Sequence, residues 1–521
     1  MSPPSRSAFD TVVIGAGLGG LSAAALLARD GLSVLVLERA DHVGGAATTL
    51  ARDGVAQEMS LHMTVPPGGT PDPKAAILDR LGLRDLVDFV PVPALYELRS
   101  PAVGAPFVLP AGMDPAEAAL TARFPEAAGA IAGFLDELRG IQGAMALMSE
   151  RHDGRWWRGH LADLPRGMWA LLRDYRHSLS QVMQRHFGDN EALKLCLAAN
   201  LPYYADDPDR LWWLGYGVAQ GGFLAGGGAY IRGGSQRLAE ALAGGIRDRG
   251  GRILCGHAAT GVLTDADGAV CAVRHVRGDR GTAEVPCRSV IANAAPHALV
   301  DLLPAPAAEA LSAEIADRPL SLSLFHVSYR MARSGSDLGI GQYATVLLPD
   351  WMQRLTDWRA AGAALSTHPH ELMPPLITVD YGQIDAGLSA AGRPAPITVT
   401  GIDRVSNWAG LSEADRRARK AAWIAAITAR LEAEWPGFAA AVQSAEMATA
   451  ETMARHLGTP GGALYGFAPE PPARLMSGPP MRVRTAVPGL FLGSAFSGFG
   501  GYSGAMGGGA GAAAAVRRFL G

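Results

Sequence analysis

What this chain of 521 residues lacks narrows its possibilities first. Its four cysteines, Cys196, Cys255, Cys271 and Cys287, never stand in a C-x-x-C pair. That argues against zinc ribbons and thioredoxin-type redox chemistry, and no metal site is expected. Thiols this sparse are expected to be reduced and structural, in a cytoplasmic setting. No uncharged apolar run of 18 residues occurs outside the C-terminal Gly/Ala tail, which is too glycine-broken to read as a membrane span. The opening "MSPPSRSAFD" lacks the apolar core of a signal peptide. The expectation is a cytoplasmic protein, soluble or held peripherally on the inner face of a membrane. A net charge of −3 and a pI near 6.5 leave no basic excess for nucleic acid. H-E-x-x-H, G-x-S-x-G and other nucleophile signatures are missing, and no internal repeat is visible. The length exceeds one ordinary domain, so two intertwined domains are expected.

What is present begins with "FDTVVIGAGLGGLSAAALLARDGLSVLVLERADHVGGAATTL" (Phe9–Leu50). Thr11–Ile14 is an apolar run suited to a strand buried on both faces. Gly15, Gly17 and Gly20 then fill G-x-G-x-x-G. They allow a tight turn, an approach of backbone to a pyrophosphate, and close packing of helix on strand. Leu21–Arg29 reads as helix, with Gly31 placed for a left-handed C-terminal cap. Ser33–Leu37 reads as a second buried strand, and Glu38 follows where a carboxylate accepts from ribose hydroxyls. A glycine motif alone is weak evidence in a chain with 65 glycines, and the bland alternative is a plain β-α-β unit. Strand, glycines, helix, strand and acid in register point strongly to a bound dinucleotide. Past Arg39 a second pair, Gly44 and Gly45, falls where an NAD domain would continue into its next crossover helix. A turn that brings more backbone N–H groups to the diphosphate suits the longer reach of FAD.

Through Gly15, Gly17, Gly20, Glu38, Arg39, Gly44 and Gly45 the chain resembles the flavoprotein superfamily of amine oxidases and phytoene desaturases, which includes the retinol saturases. The resemblance implies FAD, in contact with Gly15, Ala16, Gly17, Gly19, Gly20, Glu38, Arg39, Gly44, Gly45 and Ala46. It implies an α/β fold with a discontinuous Rossmann-type FAD-binding domain over residues 1–90, 227–300 and 453–521. The inserted substrate domain, residues 91–226 and 301–452, would be mixed α/β, with an antiparallel sheet and a helical cap. Gly227–Val276 fits that order. A glycine turn leads to a helix with Ser235 as N-cap and Leu238, Leu242 and Ile246 at helical spacing, and the turn Asp265–Gly268 then joins two strands. By the resemblance Ala259 takes the adenine contact, where the family usually has valine. Ser289–Pro296 reads as another buried strand.

The tail, Gly489–Phe519, reads as strand, glycine turn and helix. The resemblance aims that helix's positive N-terminus at the flavin pyrimidine edge, with contacts from Gly504, Ala505 and Met506. It sets Gly493 and Ser494 nearer the phosphates or ribityl chain. The chain departs from the family in two respects. An acid common near Ser494 is missing, and "SGFG" (Ser497–Gly500) replaces the Thr-His-Pro-Gly of bacterial phytoene desaturases. Gly507–Ala512 formally fits G-x-G-x-x-A, but a separate NAD(P)H domain is not expected there.

Of the insertions, Pro91–Gly226 reads as largely helical. The other, Asp301–Thr452, holds Leu320–Met331, Tyr343–Pro349, Leu376–Gly382 and Pro396–Asp403, short runs suited to an antiparallel sheet. Prolines over Pro91–Pro110 and Pro469–Pro480 read as connecting loops. Arg151–Phe187 carries Trp156, Trp157, Trp169, Tyr175 and Met183 among seven arginines. Such a segment is either a helix lying in a membrane interface or a core-facing helix with a solvated basic face. Trp212–Phe223 is either the lining of an apolar tunnel or ordinary core.

With no nucleophile, the chemistry falls to the flavin, and Glu58 and His62 are the candidates to reach its substrate face. The resemblance implies desaturation, saturation or cis-trans isomerisation of a carbon–carbon bond in a long apolar isoprenoid, carotenoid, retinoid or lipid. A quinone or oxygen would accept electrons, and the substrate would come from a membrane surface. Two alternatives stand. One is an amine oxidase, although no aromatic cage can be identified from the sequence. The other is a non-enzymatic prenyl- or lipid-binding escort, which the intact glycines and Glu38 oppose.

Overall fold

A computed structural model of the chain describes residues 9–52, 55–68, 72–149, 168–278, 280–369, 371–389, 392–473 and 482–521. The first strands are β1 (Phe9–Ile14), β2 (Val34–Glu38), β3 (Thr49–Arg52), β4 (Val55–Glu58), β5 (Phe89–Pro91), β6 (Ala94–Arg99) and β7 (Phe107–Pro110). Next come β8 (Ala229–Ile231), β9 (Arg252–Cys255), β10 (Ala258–Thr264), β11 (Val270–Arg277) and β12 (Arg280–Ala292). The rest are β13 (Ser323–Met331), β14 (Ala344–Leu347), β15 (Leu376–Asp380), β16 (Ile397–Asp403), β17 (Val442–Ala448) and β18 (Leu490–Leu492).

One seven-stranded sheet has the order β10-β11-β12-β1-β2-β9, with β18 also on β12. Its centre is parallel, as the buried runs of β1 and β2 require: Thr11 lies beside Val34 on one side and Ser289 on the other. The long β12 serves two ladders. Its first half pairs antiparallel with β11, its second half parallel with β1 and β18. The first helix, Leu18–Arg29, buries every residue from Leu18 to Ala28, and Gly31 follows it at φ +87°, as its sequence position requires.

Small residues let the last helix, Gly501–Leu520, lie backbone to backbone on the first. A Cβ on Gly509 would come within 2.0 Å of the Gly19 carbonyl, and one on Gly19 within 2.3 Å of the Gly493 carbonyl. This contact brings the tail onto the glycine loop.

The second seven-stranded sheet has the order β17-β13-β16-β15-β14-β6-β7 and is antiparallel except between β14 and β6. Phe325, Val327, Tyr329 and Met331 alternate onto one face, against Trp423, Ile427 and Leu431 of the helix Glu413–Glu434. Leu324, His326 and Ser328 therefore point to the other face, which β16 continues with Thr398, Thr400 and Ile402. The four runs of the second insertion are all strands. The first insertion is not wholly helical, because β6 and β7 complete the sheet within a stretch whose prolines suggested loops. Those prolines stand at or beside strand ends, where a missing N–H does no harm.

Candidate functional site

The glycine loop closes around its own backbone. Gly44 N donates to the Ala16 carbonyl at 2.8 Å, Gly17 and Gly44 form an isolated bridge, and a Cβ on Gly45 would lie 3.2 Å from Gly17 Cα. The two glycine signals of the sequence thus converge. Gly44 and Gly45 have φ of +126° and +61°, which side chains rarely adopt. Glu38, only 9 % exposed, accepts from Ala16 N at 2.7 Å and from Ala40 N at 2.8 Å. Each of its oxygens keeps a further lone-pair direction for a ribose hydroxyl. Arg39 turns away, donating to the Arg455 and His456 carbonyls at the C-terminal end of the helix Ala450–Leu457.

Whether FAD fits depends on where donors remain free. The first helix starts at Gly17 with no side-chain cap and no acidic residue in its first turn, and the last helix starts at Gly500 in the same way. Their orphan N–H groups are anion sites of the kind a diphosphate and a flavin pyrimidine edge need. A hydrogen-bonded chain joins the two ends: Tyr502 Oη meets Ser60 Oγ at 2.9 Å, and Ser60 Oγ donates to the Ala46 carbonyl at 2.6 Å. The residues present therefore fit the cofactor. They also add donors beside the contacts expected from the sequence. The orphan donors of the last helix fall on Gly501, Tyr502 and Ser503, one turn before Gly504, Ala505 and Met506. Gly504 packs hard on the Phe499 carbonyl, and Met506 is fully buried. Gly493 lies against the first helix, while Ser494 accepts from Phe496 N at 3.3 Å within its own turn. Ala259 sits at a bulge in β10, just past His257, whose N–H donates to the Glu38 carbonyl at 2.8 Å.

Glu58 is fully buried and accepts six hydrogen bonds, from Thr49 Oγ1, Ser60 N, Leu61 N, Tyr230 Oη, Ser235 N and Ser235 Oγ. Its oxygens are saturated, which suits an anchor rather than a base. The anchor also replaces an expected cap: Ser235 makes no side-chain cap on the helix Gln236–Arg247 but gives its proton to Glu58, 2.7 Å away. A carboxylate at that N-terminus meets the helix dipole favourably.

His62 follows on the anchored segment. The Tyr343 hydroxyl donates to its carbonyl, Tyr381 donates to the Leu61 carbonyl at 2.8 Å, and the His62 ring faces Tyr203, with Nδ1 3.2 Å from the hydroxyl. Burial, with His326 nearby, pulls the imidazole down to about 3, so it is neutral. Tyr203, Tyr465 and Tyr502 lie deep enough that burial pushes their phenols well above the usual range. Each still keeps some accessible surface. Tyr465 backs onto Gly500, where a Cβ would meet its own at 2.3 Å. These aromatics come from three distant segments, and no local pattern marks them.

Other expectations separate from this site. Trp212, Trp213 and Tyr216 are all core, and Trp212 also stacks on the half-exposed Phe499 at 6.4 Å. Trp156 and Trp157 lie outside the described residues. Met183 is buried, and Trp169 is 59 % exposed. Among the described residues no helix is long and apolar enough to cross a membrane.

The sequence profile described as flavin containing amine oxidoreductase matches residues 18–317. All-trans-retinol 13,14-reductase of Macaca fascicularis is 26% identical over 304 residues, 55% of this chain and 47% of that protein. The Homo sapiens protein of the same name is 26% identical over 295 residues, with the same coverage. The chain thus spans about half the length of these curated relatives. Solved structures cover nearly all of it. An oxidoreductase from Methanosarcina mazei matches with a TM-score of 0.59 at 18% identity, covering 96% of this chain and 98% of that one. Cyclohexylamine oxidase from Brevibacterium oxydans matches with a TM-score of 0.59 at 15% identity, covering 99% and 100%. At such identities the likeness is one of fold.

Proposed function

Because the chain belongs to the flavin-containing amine oxidoreductase family, we propose that it is an FAD-dependent oxidoreductase that saturates a carbon–carbon double bond in a long apolar isoprenoid of the retinoid class. FAD is the cofactor, and it supplies the hydride chemistry when bound. Gly15–Gly20 and Gly44–Ala46 hold the diphosphate, Glu38 the ribose, the Ala259 backbone the adenine, and the N–H groups of Gly501–Ser503 the pyrimidine edge. Residues 1–90, 227–300 and 453–521 form the FAD-binding domain, and 91–226 with 301–452 the substrate domain.

The observation that carries this reading is a buried cluster whose histidines and tyrosines carry no charge. Burial holds His62 and His326 neutral, to about 3 and about 4. The tyrosines around them keep their protons, and Glu58 has no oxygen to spare. A polyene offers no polar handle, so its affinity comes from burying length, at about 25 cal/mol per Å². A charged wall would oppose that burial. Tyr203 Oη lies 3.2 Å from His62 Nδ1, and the hydrogen bond from Leu61 N to Glu58 anchors the segment that carries His62. The substrate reaches the protein from a membrane on which it docks peripherally at the cytoplasmic face. The support is exposed Trp169, Leu172 and Met148, which border residues 150–167.

The test is product mass. Dithionite-reduced holoprotein mixed anaerobically with all-trans-retinol is expected to reoxidise and to yield a product two mass units heavier. An unchanged mass would mean isomerisation. Two units lost from oxidised enzyme, with a quinone or oxygen as acceptor, would mean desaturation. One observation favours a second reading, amine oxidation: Tyr203 and Tyr502 each lie near enough to Tyr465 to feel it electrostatically, and Tyr465 backs onto Gly500 at the start of the last helix. If primary or secondary amines bleach the flavin rapidly while polyenes never do, that reading replaces the first.

A further inference from the structure

The four thiols look unrelated in sequence, but the sheet register pairs two of them. In the antiparallel ladder of β11 and β12, Val273 stands opposite Val285 and Ala272 opposite Pro286. Carried one residue further, that register sets Cys271 opposite Cys287, with both side chains on one face. Pro286 has no N–H, so the Ala272–Pro286 rung is of the non-hydrogen-bonded kind. The cysteine rung is then of the hydrogen-bonded kind, with Cα atoms about 5.5 Å apart, inside the 4.4–6.8 Å a disulfide spans. The two thiols are close enough for Cys271 to act electrostatically on Cys287.

We propose that Cys271 and Cys287 form a reversible cross-strand disulfide, making this end of the β11–β12 ladder a thiol-based redox site.

The geometry assigns each thiol a part. Cys271 is half-exposed and open to a small oxidant, whereas Cys287 is 5 % exposed. Burial and then Cys271 push the Cys287 thiol up to about 12, so it resolves rather than attacks first. The Cys271 thiolate attacks a low-molecular-weight disulfide and releases one small thiolate. Cys287, as thiolate, then attacks Cys271 Sγ and expels the second. Two electrons pass to the oxidant, and the two thiol protons leave with the two small thiols. Opposite Cβ atoms on a sheet lie about 4.5–5.5 Å apart, at or beyond the usual 3.5–4.5 Å of a disulfide. The bond is therefore strained and readily reduced, which suits a reversible couple over a permanent staple. No other thiol competes: Cys255 is on β9 at the far edge of the sheet, and Cys196 lies in the helix Glu191–Ala198.

The test uses the full-length holoprotein equilibrated in glutathione and glutathione disulfide at stepped ratios, alkylated and digested without reductant. The expected result is a crosslinked pair of peptides holding Cys271 and Cys287, while Cys196 and Cys255 stay alkylated and excess glutathione restores all four thiols. Cys287→Ser is expected to stop at a glutathione adduct on Cys271, and Cys271→Ser to leave Cys287 alkylatable. Four free thiols at every ratio, a glutathione adduct accumulating on Cys271 of the unaltered protein, or a disulfide-linked dimer would each overturn the proposal. None of these readouts depends on the substrate.

Discussion

His326 sits on β13 at 4 % exposure, and neither ring nitrogen has a hydrogen-bond partner among the described residues. Burial alone pulls it down to about 4, and burial with His326 nearby pulls His62 to about 3. The sign of the consequence follows. Above pH 6.5 both rings are neutral whether the chain is folded or not. Below it the unfolded chain binds two protons that the folded chain refuses until about pH 4. Stability is therefore lost as pH falls from 6.5 towards 4, by up to about 1.4 kcal/mol per pH unit for each histidine. His326→Leu is expected to remove about one proton from that slope and to cost little at pH 7.5, since no hydrogen bond is broken. Urea unfolding at pH 7.5, 6.0 and 5.0 checks both. An unchanged slope in the variant would show that His326 titrates normally in the fold. Neither neutral histidine was legible in sequence, because its pKa is set by residues hundreds of positions away. Glu58 was legible as unusual but not as an anchor, since Ser235 and Tyr230 reach it only through the fold.

Among elements, the strand–glycine–helix–strand unit was the most legible, because each of its requirements is local: buried strands, positive φ, close packing. The structure adds what the glycines touch. A Cβ on Gly20 would meet the Gly15 carbonyl at 2.2 Å, which is backbone and cannot yield cheaply. A Cβ on Gly17 would meet only the side chain of Asn293, at 2.6 Å. Gly20→Ala is thus expected to destabilise even the apoprotein by about 1–3 kcal/mol. Gly17→Ala should leave apoprotein stability within about 1 kcal/mol while weakening FAD binding at least tenfold, since the added methyl occupies the diphosphate approach. Denaturant midpoints of both apoproteins and FAD titration by fluorescence quenching separate the two cases. An unchanged FAD affinity in Gly17→Ala would remove Gly17 from the cradle. Less legible elements failed for reasons of context. β6 and β7 hid among prolines that stand harmlessly at strand ends. The start of the last helix was not legible because glycines permit several starts, and the tight packing of Gly504 on Phe499 fixes one of them.

At the scale of the molecule, the proposed function requires that an apolar substrate reach the region between the two sheets and the two uncapped helix ends. A polyene in water is scarce, and at about 25 cal/mol per Å² it stays in a bilayer unless a protein meets it there. Trp169 and Leu172 stand three apart in the helix Trp169–Arg173, so they share a face, and they are 59 % and 38 % exposed. Among the described tryptophans the exposure of Trp169 stands out, since Trp213, Trp358, Trp408 and Trp423 are buried almost completely. Inserting the two side chains into lipid would contribute roughly 2 kcal/mol each. The double variant Trp169→Gln, Leu172→Gln should therefore weaken sedimentation with anionic vesicles at least tenfold. Folding and the flavin spectrum should be unaltered, because the lost surface faces solvent in the free protein. Added salt should weaken the unaltered protein further if arginines of the same segment meet lipid phosphates, since screening acts on the charges and not on the apolar pair. Equal sedimentation of variant and unaltered protein would mean that this face serves something other than a membrane and that the substrate must arrive by another carrier.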